Sequence, residues 1–291
     1  NAIEAEIQQK TNGQVHCKFY AGGVLGDEKD MLRKMHIGQI HAAALTSAGL
    51  SAIFSEMDVF QIPFLFESHA EVDSVLAQMD AFFRKGFEKN HYILLGWSEG
   101  GFVRLMSTKP VATLADLRKL KVWTWEDAPI TRLIFEEANV SAIPLSVPDV
   151  LVGLQTGLVD VVYAPPSGAI SLQWFTKTRY ITDVKLIYLI GGVVIKKKVF
   201  GKLTPAHQKI VLDVWQRQMI RLKQNIRQEN QEAMQVMVDQ GIKIIVPSPD
   251  QVAEFVNVST KAIQRLEGKT FSKKIRDEVE ANIETYRKKD Q

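Results

Sequence analysis

The chain has 291 residues, of which 46% are hydrophobic and 24% charged, with a formal net charge of +3. That length is enough for two lobes with cores of their own, and the charge is too mild to argue for a nucleic-acid partner, which would call for a basic groove with stacking aromatics. Cys17 is the only cysteine, which excludes an intramolecular disulfide, and no apolar run reaches the ~18 residues of a membrane span.

Ile3 and Ile7 sit one helical turn apart, and Thr11-Asn12-Gly13 reads as the end of that helix. Val15 to Tyr20 alternates like a strand. Asp27 to Ile37 follows a Gly-rich turn and carries acids in its first turn, where the helix dipole favours them. Ile93 to Trp97 is a short apolar run that suits a buried strand. Next come a short helix at Leu114 to Leu120, a strand at Lys121 to Thr124, helices at Ala128 to Ala138 and Pro148 to Thr156, and a strand at Val159 to Tyr163. Such alternation predicts an α/β fold with sheets covered by helices. Lys196-Lys197-Lys198 is the densest basic run and reads as a solvated loop or helix start.

The longest element begins at Thr204, a good N-cap, with Pro205 at the first helical position. Its pattern runs to Gln240, with Gly241 as terminator, giving a helix of roughly 55 Å at 1.5 Å per residue. Val211, Trp215, Met219, Leu222 and Ile226 form one apolar stripe, and a second resumes at Met234 and Met237. The polar interruption at Gln228 to Gln231 predicts that the helix passes from one lobe to another.

Catalytic and cofactor signatures are absent. There is no G-x-S-x-G, Walker A loop, G-x-G-x-x-G or H-E-x-x-H. The six histidines are scattered, without zinc spacing. No acid–base pair offers itself, so a binding protein without a cofactor is expected rather than an enzyme.

Several runs share an order and spacing with one family. Gly22-Gly23-Val24-Leu25-Gly26-Asp27-Glu28 precedes an amphipathic helix, Ile62-Pro63-Phe64-Leu65-Phe66 follows, and Leu154-Gln155-Thr156-Gly157 runs into Leu158-Val159-Asp160. Over nearly its whole length the chain resembles the periplasmic solute-binding proteins of TRAP transporters, the DctP family. The resemblance implies a two-lobed, periplasmic-binding-protein-like (type II) α/β fold with crossing inter-lobe segments and one long helix shared by both lobes. Lobe one would hold residues 1–100 and 190–226, lobe two residues 101–189 and 227–291, with the ligand cleft between them. It also implies a strand ahead of the first helix; that strand and any export signal are expected to lie outside this chain.

The resemblance puts Trp123 where the family carries an arginine that clamps a substrate carboxylate, and Ala164 where it carries an asparagine contact. Both departures point to an apolar ligand in place of an anion. Trp123 and Trp125 flank Thr124 and face one side if this is a strand; core packing is the plain account of either. Tyr163 ends its strand in the family's ligand segment, and Trp174 follows on a predicted helix. Phe64 belongs to the inter-lobe element, and Ser47 to a loop over the ligand. Arg104 lies one residue from the family's second arginine; strand alternation turns it away from the cleft unless a bulge intervenes, and a surface salt bridge is the alternative. Replacing Trp123 with Arg is expected to weaken an apolar ligand and admit carboxylates.

The implied partners are an apolar small molecule, TRAP membrane subunits and a helical-repeat lipoprotein. The implied location is periplasmic, with a lipid anchor preceding this chain. A lipid carrier acting without a permease and an enzyme on the same architecture stand as alternatives.

Overall fold

A computed structural model describes residues 2–125 and 128–290. In chain order the strands are β1 (Ala42–Thr46), β2 (Tyr92–Phe102), β3 (Arg104–Ser107), β4 (Lys121–Thr124), β5 (Ser141–Pro144), β6 (Val161–Ala164), β7 (Tyr180–Thr182), β8 (Tyr188–Lys196) and β9 (Lys243–Ile245). They pair into two sheets, one per lobe. The first lobe holds an antiparallel sheet of order β1-β8-β2, and the second a mixed sheet of order β5-β4-β6-β3-β7-β9. Helices pack on both, as α/β alternation requires.

Between the sheets the chain crosses at Val103, which separates β2 from β3, and returns just ahead of β8. The two crossings pair with each other: Val103 N–H donates to Ile187 O at 2.9 Å, and Leu186 N–H donates to Val103 O at 3.0 Å. Phe64 joins them, its N–H donating to Leu186 O at 2.7 Å from a left-handed backbone, φ +60°. A bulky residue is uncommon in that conformation and persists only where its surroundings hold it.

A third connection is the long helix, Pro205–Asp239, capped by the Thr204 side chain, which accepts from His207 N–H. Val211, Trp215 and Met219 bury in one cluster with the first sheet's Leu95 and Val193, while Met237 belongs to the second lobe's core. Leu222 departs from the expected stripe: it is exposed, because the helix is leaving the first core at that turn. Just beyond, Arg227 pairs with Asp73 and Glu99, both at 2.7 Å. Asn230 donates to Gly100 O at 2.8 Å and accepts from both the backbone and hydroxyl of Ser167 at 3.0 Å. Gly101 is needed beside it, since its φ is +96° and a Cβ would come within 2.6 Å of Asn230 Nδ2.

Two expectations need correction. Residues 15–20 form no ladder with any described strand, although Val15 and Cys17 do bury alternately. The inward side lies against the long helix, with Phe19 and Trp215 ring centroids 6.1 Å apart, so the alternation records burial without sheet pairing. Residues 227–291 do not all belong to the second lobe either. The helix Lys273–Asp290 carries Ile275, Val279 and Ile283 into the core that holds Phe60 and Phe83, and Arg287 pairs with Glu71 at 2.8 Å. The helix Pro249–Leu266 spans the boundary, with Phe255 in the second core and Ile263 and Leu266 in the first.

Glu99 keeps only 2% of its side chain exposed and relies on Arg227 for its charge partner. Removing one member of a buried pair costs about 3–5 kcal/mol. Arg227→Ala is therefore expected to lower the melting temperature by roughly 10 °C, at ~2–4 °C per kcal/mol for a chain of this size. Calorimetric melting of the two proteins measures it, and an unchanged melting temperature would mean that Glu99 keeps enough solvation without Arg227.

Candidate functional site

A cavity of about 540 Å³ lies between the lobes. Its first-lobe wall comes from the start of the helix Glu28–His36, the segment Thr46 to Gly49, Gln61 and Phe64. Its second-lobe wall comes from Leu105 of β3, Trp125, Tyr163 of β6 and two helix faces. One face presents Thr131, Ile134 and Phe135, the other Phe255, Val258 and Ser259. The inter-lobe crossing supplies Val103, Leu186, Ile187 and Leu189.

Of the expected contacts, Ser47, Phe64, Trp125 and Tyr163 line this cavity, and Trp123, Ala164, Trp174 and Arg104 do not. Trp123 is fully buried, and its Nε1–H donates to Leu145 O at 3.0 Å. Its ring lies 4.6 Å from that of Trp125, 5.0 Å from Tyr163 and 5.1 Å from Trp174. Trp123 thus stands behind the wall and braces the two aromatic residues that form it. Ala164 and Trp174 are buried in the same core. Arg104 donates from Nε to Asp183 at 3.0 Å. Leu105 beside it lines the cavity, and adjacent strand residues point to opposite faces.

The wall is chiefly apolar. Among the described lining residues Lys29 is the sole cation and no arginine is present, whereas Asp27, Glu28 and Asp30 are acids. Glu28 is turned inward: its carboxylate accepts from the Thr46 N–H and, at 2.9 Å, from the Thr46 hydroxyl. Burial raises its pKa, and those hydrogen bonds offset part of the rise. It ties the end of β1, which runs directly into the helix Ser47–Ser51, to the cavity edge. Asp58 works similarly one layer back, accepting at 2.5 Å from Gln61, which lines the cavity. No cluster of His, Cys, Asp or Glu among the described residues could hold a metal ion, and no described helix is long and apolar enough to cross a membrane.

The two helix faces and the 186–189 segment went unnamed in the sequence reading. The signal of the two helix faces was present as i, i+3, i+4 spacing, at Thr131, Ile134 and Phe135 and at Phe255, Val258 and Ser259. That spacing marks a buried face without telling a filled core from a cavity wall.

Two lobes, crossing segments between them and an inter-lobe cavity define a solute-binding protein of the periplasmic-binding-protein type. The family model described as bacterial extracellular solute-binding protein, family 7 (DctP), matches residues 1–270, and the chain belongs to that family of TRAP solute-binding proteins. It is 24% identical over 241 residues to the 2,3-diketo-L-gulonate-binding periplasmic protein YiaO of Escherichia coli, covering 82% of this chain and 73% of the relative. It is 23% identical over 281 residues to the C4-dicarboxylate-binding periplasmic protein DctP of Rhodobacter capsulatus, covering 89% and 83%. Among solved structures, a TRAP solute-binding protein of Xanthobacter autotrophicus with bound β-D-galacturonate superposes with a TM-score of 0.90 at 19% identity, covering 97% of this chain and 93% of that one. Membership implies a periplasmic location and a family of binding proteins rather than enzymes.

The burial of Trp123 changes what its replacement should do. Trp123→Arg would bury an unpaired cation at a cost of about 3–5 kcal/mol. The expected outcome is a melting temperature lower by roughly 10 °C, in place of a switch to acidic ligands. A variant that melts like the wild type and binds galacturonate would mean that the side chain reaches the cavity.

Asp58 carries a pH dependence of its own. Burial raises its pKa from 3.8 to about 6, so the folded state holds a proton that the unfolded chain has released. Its contribution is complete below pH ~4 and is lost as pH rises through about 6. That rise corresponds to ~3 kcal/mol at most, at about 1.4 kcal/mol per pKa unit. Asp58→Asn is expected to flatten the fall in stability between these values and to melt higher than the wild type at pH ~8. Denaturant titrations across the range check the slope.

Proposed function

We propose that this protein captures a predominantly apolar ligand in the inter-lobe cavity and delivers it to TRAP membrane subunits. The carrying observation is the cavity wall: Phe64, Trp125, Phe135 and Phe255, with aliphatic groups between them and no arginine among the described lining residues. A carboxylate buried against this wall away from Lys29, the sole cation among the described lining residues, lacks a charge partner at a cost of about 3–5 kcal/mol, at least a hundredfold in affinity. Each methylene placed against such a wall returns about 0.8 kcal/mol before association costs. The volume falls within the usual range for small-ligand pockets, roughly 300–1,000 Å³.

A second reading follows from the company this chain keeps. The names of its relatives carry acids: galacturonate, diketo-gulonate and C4-dicarboxylate. Lys29 in the wall is where such an acid would find a positive charge.

Mass spectrometry of what the purified protein carries separates the two. Protein denatured and extracted with organic and aqueous solvents, beside a mock purification, is expected to release an apolar molecule. Calorimetric titration with galacturonate is expected to show binding weaker than ~1 mM, above −4.1 kcal/mol. An enriched sugar acid, or micromolar binding of galacturonate, would replace the first reading with the second.

A further inference from the structure

The segment that crosses between the lobes is held to the first lobe by charged and titratable groups that line no part of the cavity. Tyr188 opens β8 directly after Ile187, and its hydroxyl lies 2.9 Å from His69 Nδ1. His69 is the first residue of the helix His69–Lys89, behind the Ser68 cap. Its ring centroid stands 5.3 Å from that of Phe102, at the end of β2, and 5.4 Å from that of Tyr188. Lys185, on the crossing itself, donates from Nζ to Glu67 O at 2.6 Å and lies 4.7 Å over the Phe102 ring. The inter-lobe connections thus meet around one imidazole: β2 on its way to Val103, the segment entering β8, and the long helix through Arg227.

Each element packed on His69 brings a charge. Arg227 faces it from the long helix, Glu99 from β2, Asp73 from its own helix and Lys185 from the crossing. Glu99 and Asp73 are committed to Arg227, each at 2.7 Å, and nearby Glu71 pairs with Arg287 at 2.8 Å. Burial and the Arg227 guanidinium hold the imidazole below its ordinary 6.5, although Glu99 and Asp73 pull the other way. The arrangement therefore favours neutral imidazole, and by linkage it is itself disfavoured once the imidazolium forms. Relief comes when the crossing carries Lys185 away and water reaches the ring, as a wider angle between the lobes would allow.

We propose that His69 is a proton-operated release for the crossing segment: at acidic pH its imidazolium repels Lys185, favours a more open angle between the lobes and lowers ligand affinity. This rests on the inter-lobe cavity as the ligand site and not on the chemistry of the ligand.

The test uses the full chain with Asp58→Asn as the parent, which removes the titration at about 6 one layer behind the cavity. Nitroxide labels at Lys85→Cys and Gln155→Cys, exposed residues on the first and second lobes, report the inter-lobe distance, with Cys17→Ala to avoid stray labelling. N-phenylnaphthylamine, an apolar fluorescent probe, reports binding. From pH ~7.5 to ~5 the parent's distance is expected to lengthen and its probe affinity to fall about fivefold, the low end of coupling between sites. His69→Gln is expected to leave both readings flat. Lys185→Met keeps the imidazole and removes the charge it repels; it is expected to cut the fall to about twofold, and it keeps the test open should His69→Gln fold poorly. A parent response that His69→Gln and Lys185→Met both reproduce overturns the proposal, as does a distance that pH does not change. If the probe fails to bind while the distance still lengthens and His69→Gln abolishes the lengthening, the apolar reading falls and the release stands.

Discussion

Arg227 and Asn230 sit about one turn apart in the long helix, where it leaves one core for the other. An amphipathic helix has one preferred environment per face, and passing between two cores leaves a turn that neither buries. Here that turn is met from both lobes. Arg227 reaches Asp73 and Glu99 on the first lobe, while Asn230 binds Gly100 on the first and Ser167 on the second. The polar residues therefore specify where along the helix each lobe attaches. An apolar turn would slide more freely, since dispersion contacts have little directional preference, whereas a bidentate guanidinium does. The crossing at Val103 follows from this placement, because Gly100 and Gly101 are fixed against Asn230 immediately before the chain changes sheets.

The cavity depends on a second device, the aromatic stack behind its wall. Trp123 contacts Trp125, Tyr163 and Trp174, and anchors itself through the Leu145 carbonyl. Large rings lose little side-chain freedom when packed, and offset or edge contacts fix their relative angles. A cation at this position would require a counter-charge, and among the described residues its contacts are the rings of Trp125, Tyr163 and Trp174 and the Leu145 carbonyl, none of them charged. The chemistry of the wall is thus set by a residue that does not line it. Trp123 reaches the cavity through Trp125 and Tyr163, its ring neighbours in the wall.

Much of the fold was legible along the chain because local chemistry and tertiary context agree there. The long helix has its cap at Thr204 and its stop at Gly241, and the strand at Lys121 to Thr124 lies where the pattern put it. Residues 15–20 show what periodicity leaves open: an alternating segment can bury one side against a helix as well as within a sheet. The C-terminal helix shows another limit, since its apolar stripe demands a core without naming which one. At the site, the inter-lobe element and the ligand segment were readable through resemblance, which brought Phe64 and Tyr163 into view. Depth was not. Strand alternation puts Trp123 and Trp125 on one side, yet only packing decides that one forms the wall and the other stands behind it.

The segment Leu186 to Leu189 joins these observations. It crosses between the lobes, pairs with Val103, receives the Phe64 N–H and lines the cavity. Any rotation of one lobe on the other has to be absorbed by a few backbone angles in such connections. Phe64, already in a left-handed conformation and held there by Leu186, is among them. A ligand that packs on Leu186, Ile187 and Phe64 therefore touches the residues whose backbone sets the angle between the lobes. Burial of apolar area has no preferred direction, so a smooth hydrocarbon could fill the cavity in several poses. The packing of whatever fills the cavity and the angle between the lobes therefore share the same few residues, Phe64, Leu186 and Ile187.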